Sequence, residues 1–346
     1  MSANAHLNAY LEEDCISEFE DTFRKSMRMC LSDRLEETLK GKRIIFDSNG
    51  QTIVPLRRDR SFESASAAFP RVIHPNEKIT YITAIDSSVV HLASTEEGRL
   101  YCAKSGVVMS SGRGIRRHFR IGPILIYLTE GSLRDSKIDH NLANLLFFDS
   151  NIAKRFIRIR LERAIQLVLS HRLNNSIMLI DGSLRPSIFE DHNCTISRVI
   201  ETSTLDNNDV IGLSKNTTMK TLYQFEYLLK VIPFSACIDT DCVIKSLARN
   251  TLGKNLLVKL GKNENEYVLR ADICSANGNE MESLERLIGN DVIFRSYPES
   301  LRIAHHISTF TNTEVSSLNG FVSRSYGVVE IDHADTRKNL LGVSFI

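Results

Sequence analysis

The sequence predicts an α/β protein with a mixed central sheet flanked by helices and a helical extension at the N-terminus. Three observations carry this. Short runs rich in β-branched and aromatic residues crowd residues 78–131. An amphipathic helical pattern follows over 151–173. Then four apolar residues, Ile177 to Ile180 in "SIMLIDGSL", read as a strand buried on both faces. Strands followed by helix, strand, helix and strand suit one α/β unit.

Taken in order, residues 1–45 form the extension. Leu7, Leu11, Ile16, Phe19, Phe23, Met27, Cys30 and Leu31 recur every three or four positions, which predicts a helix from Leu7 to about Leu39. The main domain is expected over 46–346, including a C-terminal tail. It opens on a polar, basic stretch with two prolines, expected as loop over 50–76. Five strands are then predicted at 78–88, 89–94, 99–104, 106–111 and 123–131, with a hairpin turn at Glu96-Glu97-Gly98. In the helix over 151–173, Ile157, Leu161, Ile165 and Val168 make one apolar stripe, with Lys154, Arg155, Arg158 and Arg163 off it. A strand over 209–215, a helix over 217–232, strands over 255–261 and 266–274 and an acidic helix over 279–289 follow. "RSYPESLRIAHHIST" (295–309) and a polar tail close the chain.

Composition narrows the function less than the fold. The 346 residues are 42% hydrophobic and 25% charged, ordinary for a globular protein, and the net charge of +1 gives no overall pull toward polyanions. Seven cysteines without a CxxC pair, and without partners at zinc-ligand spacing, are expected as reduced thiols in the cytoplasm. The N-terminal "MSANAHLNAYLEEDC" is acidic where a signal peptide is basic and then apolar. No run approaches the ~18 apolar residues of a membrane span.

Three acidic residues stand where local packing does not explain them. Asp86 ends the first strand in "AIDSS", Asp181 ends the buried strand in "LIDGSL", and Glu162 follows Leu161 in the helix between. If the two strands are neighbours, both aspartates emerge at one sheet end and the helix can aim Glu162 at the same place. Three carboxylates there repel unless a counter-cation joins them. Oxygen ligands suit Mg²⁺ or Mn²⁺, and such a cluster can hold two ions for phosphodiester hydrolysis. Glu130 in "YLTEGSL" is a second strand-end acid and the first replacement for Glu162.

The order of these carboxylates is similar to that of ribonuclease H-like nucleases. More narrowly, the chain resembles the NurA family of DNA-end-processing nucleases. "AIDSS", "RLERAIQL", "LIDGSL", "VIGLSK" and "YPESLRIAH" match that family's motifs in family order, from about residue 80 to 310. The first motif usually reads Asp-Gly; here it is Asp86-Ser87, with the carboxylate kept. The resemblance implies metal ligation by Asp86, Glu162 and Asp181. It implies a cation near the scissile phosphate from Lys215, and a further ligand or proton-transfer group in His305. Tyr297-Pro298 is expected to set the start of the His305 helix.

The resemblance further implies a ribonuclease H-like fold, cleavage of single-stranded DNA and 5′→3′ resection of duplex ends, commonly with Mn²⁺. It also implies a homodimer working on a hexameric HerA-type helicase–translocase in recombinational repair. From the residues, Arg113, Arg116, Arg117 and Arg120 form one basic strip, and Lys154 to Arg163, with Arg158, a second; either suits backbone phosphates. Phe119 is placed to stack on a base. The N-terminal helix and the tail "NLLGVSFI" (339–346) are candidate contacts for the dimer or helicase. A non-catalytic DNA-binding adaptor and a ribonuclease H-like enzyme acting on RNA remain open at this level.

Overall fold

The computed structural model describes residues 13–27, 43–44, 69–135, 138–215, 222–248, 250–327 and 329–330. Three long strands, β3 (Ile82–Ser94), β4 (Gly98–Ser111) and β5 (Gly114–Thr129), form an antiparallel meander. The runs expected as separate strands over 78–94 merge into β3, and those over 99–111 into β4. Polar residues interrupt the apolar alternation without breaking the ladder. Ser87 Oγ donates to Ser105 Oγ, and Ser105 Oγ donates to the Asp86 carbonyl, so the buried hydroxyls are satisfied inside the sheet. The basic strip over 111–120 also becomes strand. Gly112 and Arg113 make the two-residue turn into β5, both with positive φ (56° and 60°), as a tight hairpin of this hand requires.

Two short helices, α2 (Glu130–Asp135) and α3 (His140–Phe148), lead to α4 (Ser150–Ser170). Asp149 caps α4 by accepting from the backbone N–H groups of Asn151 (2.8 Å) and Ile152 (3.3 Å). The chain continues through β6 (Ile177–Asp181), α5 (Ile196–Leu205) and β7 (Asp209–Ser214). Next come α6 (Tyr223–Lys230), β8 (Ala236–Asp239), α7 (Asp241–Leu247), β9 (Lys254–Lys259) and β10 (Leu269–Cys274). The last third holds α8 (Glu280–Asn290), β11 (Ile293–Phe294), β12 (Tyr297–Pro298), α9 (Glu299–Ser308) and α10 (Asn312–Tyr326). The stretch after 309, expected as a polar tail, thus carries a helix. Thr311 and Glu314 form a reciprocal capping box at its start.

With β2 (Arg71–Val72) at one edge, nine strands make one sheet in the order β2-β8-β9-β10-β7-β6-β3-β4-β5. The loop expected over 50–76 therefore contributes an edge strand; its residues 50–68 lie outside the described residues. Pairings β3–β6 and β6–β7 are parallel and the others antiparallel, so the sheet is mixed and mostly antiparallel. A separate pair joins β1 (Arg43–Ile44) to β13 (Val329–Glu330).

Each face of the sheet is covered by helices. Met178 and Ile180 of β6 join a core with Phe156, Ile157, Leu161, Ile165 and Val168 of α4. Ile177 and Leu179 join the opposite core with Leu284 and Leu287 of α8 and Leu301 and Ala304 of α9. This two-sided burial is why β6 reads as an unbroken apolar run. The N-terminal helix is described as α1 (Glu13–Ser26), with Phe19, Phe23 and Met27 buried in the α4 core. Residues 7–12 and 28–39 of the predicted helix lie outside the described residues, as does "NLLGVSFI". Among the described residues, no helix is long and apolar enough to cross a membrane. Among the described residues, Cys102, Cys194, Cys237, Cys242 and Cys274 are free thiols.

Candidate active site

Strand register brings the two aspartates together. Ile85 of β3 pairs with Ile180 of β6, so Asp86 and Asp181 are the next residues on parallel neighbours. Alternation then points both side chains toward α9, because Ala84 and Leu179, two residues before each, lie in that core. Beyond Asp181 the chain turns at Gly182, which has a φ of 124°, while β3 runs on to Ser94. The carboxylates therefore sit where one strand stops and its neighbour continues.

Helix α9 supplies the third group. His305 Nδ1 lies 2.7 Å from Asp86 Oδ2 and Ser308 Oγ donates to the same oxygen at 3.0 Å, from one turn later. An ionised carboxylate only accepts, so Nδ1 carries the proton in this bond, and in the neutral ring that leaves the Nε2 lone pair for a ligand. Lys215, just past β7, donates from Nζ to Asp181 Oδ2 at 2.8 Å. One ligand atom each from Asp86, Asp181 and His305 falls within 4.8 Å of the others. Two oxygen donors and an imidazole at this spacing fit a hard divalent cation such as Mn²⁺ or Mg²⁺.

Glu162 reaches the site from the other face, on α4. It stands outside the 4.8 Å group, yet senses it: burial raises its carboxyl pKa to about 7, with the charges of Asp86 and Asp181 pushing the same way and Arg158 opposing. Burial raises this carboxyl first and the two aspartate charges add to it; a cation bound beside them would oppose that part of the shift, so the surroundings as well as the donor set fit a metal. Arg158 Nε is 3.8 Å from Glu162 Oε1.

The open side is a cleft of about 540 Å³. Asp86, Asp181, His305 and Lys215 line it together with Asn151, Lys154, Arg155 and Arg158 on α4. Lys154 and Arg158 are one turn apart, so their charges rise on one helix face. Of the arginines expected to bind DNA, Arg158 lines this cleft. Arg113, Arg116 and Arg117 do not. Arg117 pairs with Met109 opposite Thr83, toward the N-terminal end of β3, and Arg113 borders another cleft beside Asp291 and Glu266. Antiparallel pairing, which linear spacing does not reveal, carries these three arginines away from the carboxylates, whereas Arg120 pairs with Gly106 in the row of Asp86. Phe119 is also not a free platform: its ring stacks on Phe19 at 5.8 Å and an interplanar angle of 3°.

Glu130 is elsewhere as well. It begins α2, pairs with Arg134 and borders a small cavity with His140 and Phe147. Tyr297, expected only to position α9, does more. Burial first, then the charges of Asp181 and Asp86, raises its phenol pKa, and its ring lies 5.0 Å beneath Lys215 Nζ. Ser308 is the site residue that sequence reasoning passed over, and it gives Tyr297 a positioning role alone. Ser308 was legible as His305 plus three on one helix face; the approach of Tyr297 to Lys215 and the aspartates depends on packing that its motif does not reveal.

A family model described as the NurA domain matches residues 81–309, about two thirds of the chain. The chain belongs to the NurA family. As a NurA protein it is a nuclease. All of Asp86, Glu162, Asp181, Lys215, Tyr297 and His305 fall inside the matched span. A search of curated proteins finds no match. Among solved structures, this NurA chain is similar to the NurA nuclease from Sulfolobus solfataricus, with a TM-score of 0.45 and 13% identity over 93% of this chain and 98% of that one. It is also similar to a NurA solved with manganese (0.37, 10%, 73% and 90%) and to the catalytic domain of human endonuclease V (0.34, 12%, 75% and 92%).

Proposed function

We propose that this NurA protein is a metal-dependent deoxyribonuclease that cuts single-stranded DNA and degrades duplex ends 5′→3′. The observation that carries the reading is the convergence of Asp86, Asp181 and His305 within 4.8 Å on the floor of a cleft rimmed by Lys154, Arg155 and Arg158. Asp86, Asp181 and His305 hold the metal, with Glu162 completing the carboxylate set for a second ion. Mn²⁺ or Mg²⁺, when bound, supplies an activated water and charge neutralisation at the scissile phosphate.

The chain's own residues have separable tasks. Ser308 and the His305 N–H fix one oxygen of Asp86 and leave the other to bind. Lys215 holds Asp181 in place and sets a positive charge beside the position of the developing oxyanion. Tyr297, under the Lys215 ammonium, keeps that side chain from swinging into solvent. The α4 cations grip backbone phosphates and draw the strand across the carboxylates. Family membership supports the finer reading of a homodimer acting with a hexameric HerA-type helicase–translocase in DNA end resection, in the cytoplasm.

The test is cleavage of end-labelled single-stranded and duplex DNA, with RNA and RNA–DNA hybrids in parallel, under Mn²⁺ and under Mg²⁺. Asp181→Asn is expected to abolish cleavage while retaining the wild-type circular dichroism. Undiminished cleavage by Asp181→Asn would sink the mechanism. Salt-sensitive DNA binding without cleavage under any divalent metal would favour the adaptor.

A further inference from the structure

A second cleft lies across α9 from the catalytic one. Asp86 pairs with Gly106 on β4, and Gly106 with Arg120 on β5, so the three form one row across the sheet and project from one face. A Cβ at Gly106 would fall 2.6 Å from the Ala304 carbonyl, which shows how closely α9 rests on the middle of that row. Helix α9 is thus a ridge, with Asp86 and His305 on one flank and Arg120 on the other. Two strand spacings, about 10 Å, separate the ends of the row.

The cleft beyond the ridge has a volume of about 400 Å³, and Phe310, Phe321, Pro123 and Leu318 supply its apolar walls. Phe321 is 51% exposed, yet its ring is held edge-on by Tyr326 at 6.0 Å. The polar side is cationic on balance. Buried Lys104 donates to both carboxylate oxygens of Glu314 at 2.9 Å and lies 4.6 Å over the Phe310 ring, so that carboxylate is already neutralised. Arg120, half exposed, touches Glu314 only at 3.5 Å and keeps guanidinium donors facing solvent.

An oriented, exposed aromatic ring beside an available arginine is the pairing by which proteins hold single-stranded nucleic acid: a base stacks on the ring and its phosphate meets the cation. We propose that this cleft is a nucleotide subsite for the single strand that crosses α9 from the active site, with a base on Phe321 and a phosphate on Arg120. The inference rests on reading the Asp86–Asp181 cleft as the place where DNA is cut. The shared row, the common sheet face and the unspent charge of Arg120 favour a nucleic-acid strand over a partner's apolar peptide.

The protein contains no tryptophan, so Phe321→Trp introduces a unique fluorophore at the subsite. In the non-cleaving Asp181→Asn background with Mg²⁺, a single-stranded oligonucleotide of about 20 nucleotides should quench this emission by stacking. A mononucleotide, which cannot span the ridge, should leave it nearly unchanged. Phe321→Leu, which keeps apolar bulk but removes the platform, should weaken binding of the longer strand about tenfold, and Arg120→Ala should act in the same direction. Fluorescence polarisation supplies the affinities. Emission that stays constant while polarisation reports a fully bound strand would overturn the proposal, as would wild-type affinity in Phe321→Leu. Failure of the nuclease reading looks different: the wild-type protein then cleaves no DNA under Mn²⁺, whatever the tryptophan reports.

Discussion

Glu162→Gln separates a metal-site carboxylate from a structural one, because the two roles predict opposite signs for stability. Glu162 is 8% exposed, and its carboxyl titrates near pH 7 instead of near 4.5. An acid whose folded pKa is raised holds its proton in the native state after the unfolded chain has released it. Its contribution is therefore fully present below pH 4.5 and declines as pH rises toward 7. At about 1.4 kcal/mol per pH unit, the ionised side chain costs roughly 3 kcal/mol of folding stability at pH 8 relative to pH 4. Glutamine has the same shape and no charge. In metal-free buffer the variant should thus match the wild type below pH 4.5 and exceed it by about 3 kcal/mol at pH 8, a figure that already includes the attraction of Arg158. Urea unfolding at the two pH values measures this as the difference between the proteins, which cancels every other titrating group. The same variant should lose cleavage under Mn²⁺, and added Mn²⁺ should raise its stability less than that of the wild type. A Glu162→Gln protein less stable than wild type at pH 8 would refute the reasoning, since the buried charge would then be paired well enough to stabilise the fold.

Gly106→Ala should push α9 outward, because the new Cβ would come within 2.6 Å of the Ala304 carbonyl and 2.9 Å of Ile307 Cβ. We expect a loss of about 1–3 kcal/mol in urea unfolding, with kcat falling as His305 leaves Asp86. Arg158→Ala should weaken DNA binding and lower the slope of log affinity against log salt by about 1, whereas Arg113→Ala should leave the slope unchanged. Binding titrations at several salt concentrations distinguish them. Lys215→Ala should lower kcat on the order of 10²-fold with a smaller change in KM, as expected for a charge felt mainly in the transition state; equal losses through KM alone would reassign it to substrate binding.

Local pattern made much of this protein readable in advance. Alternation and apolar runs placed β3, β6, β7 and β10, and the stripe of Ile157, Leu161, Ile165 and Val168 placed α4, because burial on one or two faces imposes a period on the residues concerned. Asp86 and Asp181 were conspicuous because each is a charge at the end of such a run. That they meet was conditional until β3 and β6 paired in parallel with Ile85 beside Ile180. Boundaries set by long-range contact were not readable. Ser87 and Ser105 look like a break in two strands and are instead satisfied by one another across the ladder. α10 hid behind a polar sequence, although its capping box was present in Thr311 and Glu314. The two basic strips look equivalent as text, and β-register leaves one at the cleft while it sends Arg113, Arg116 and Arg117 of the other to the turn end of the hairpin. Phe119 is an exposed aromatic among arginines on paper, and α1 covers it with Phe19. Periodicity reports which residues an element buries. The partner that buries them, and the side chains that converge where elements meet, depend on register and packing between residues as far apart as Asp86 and His305.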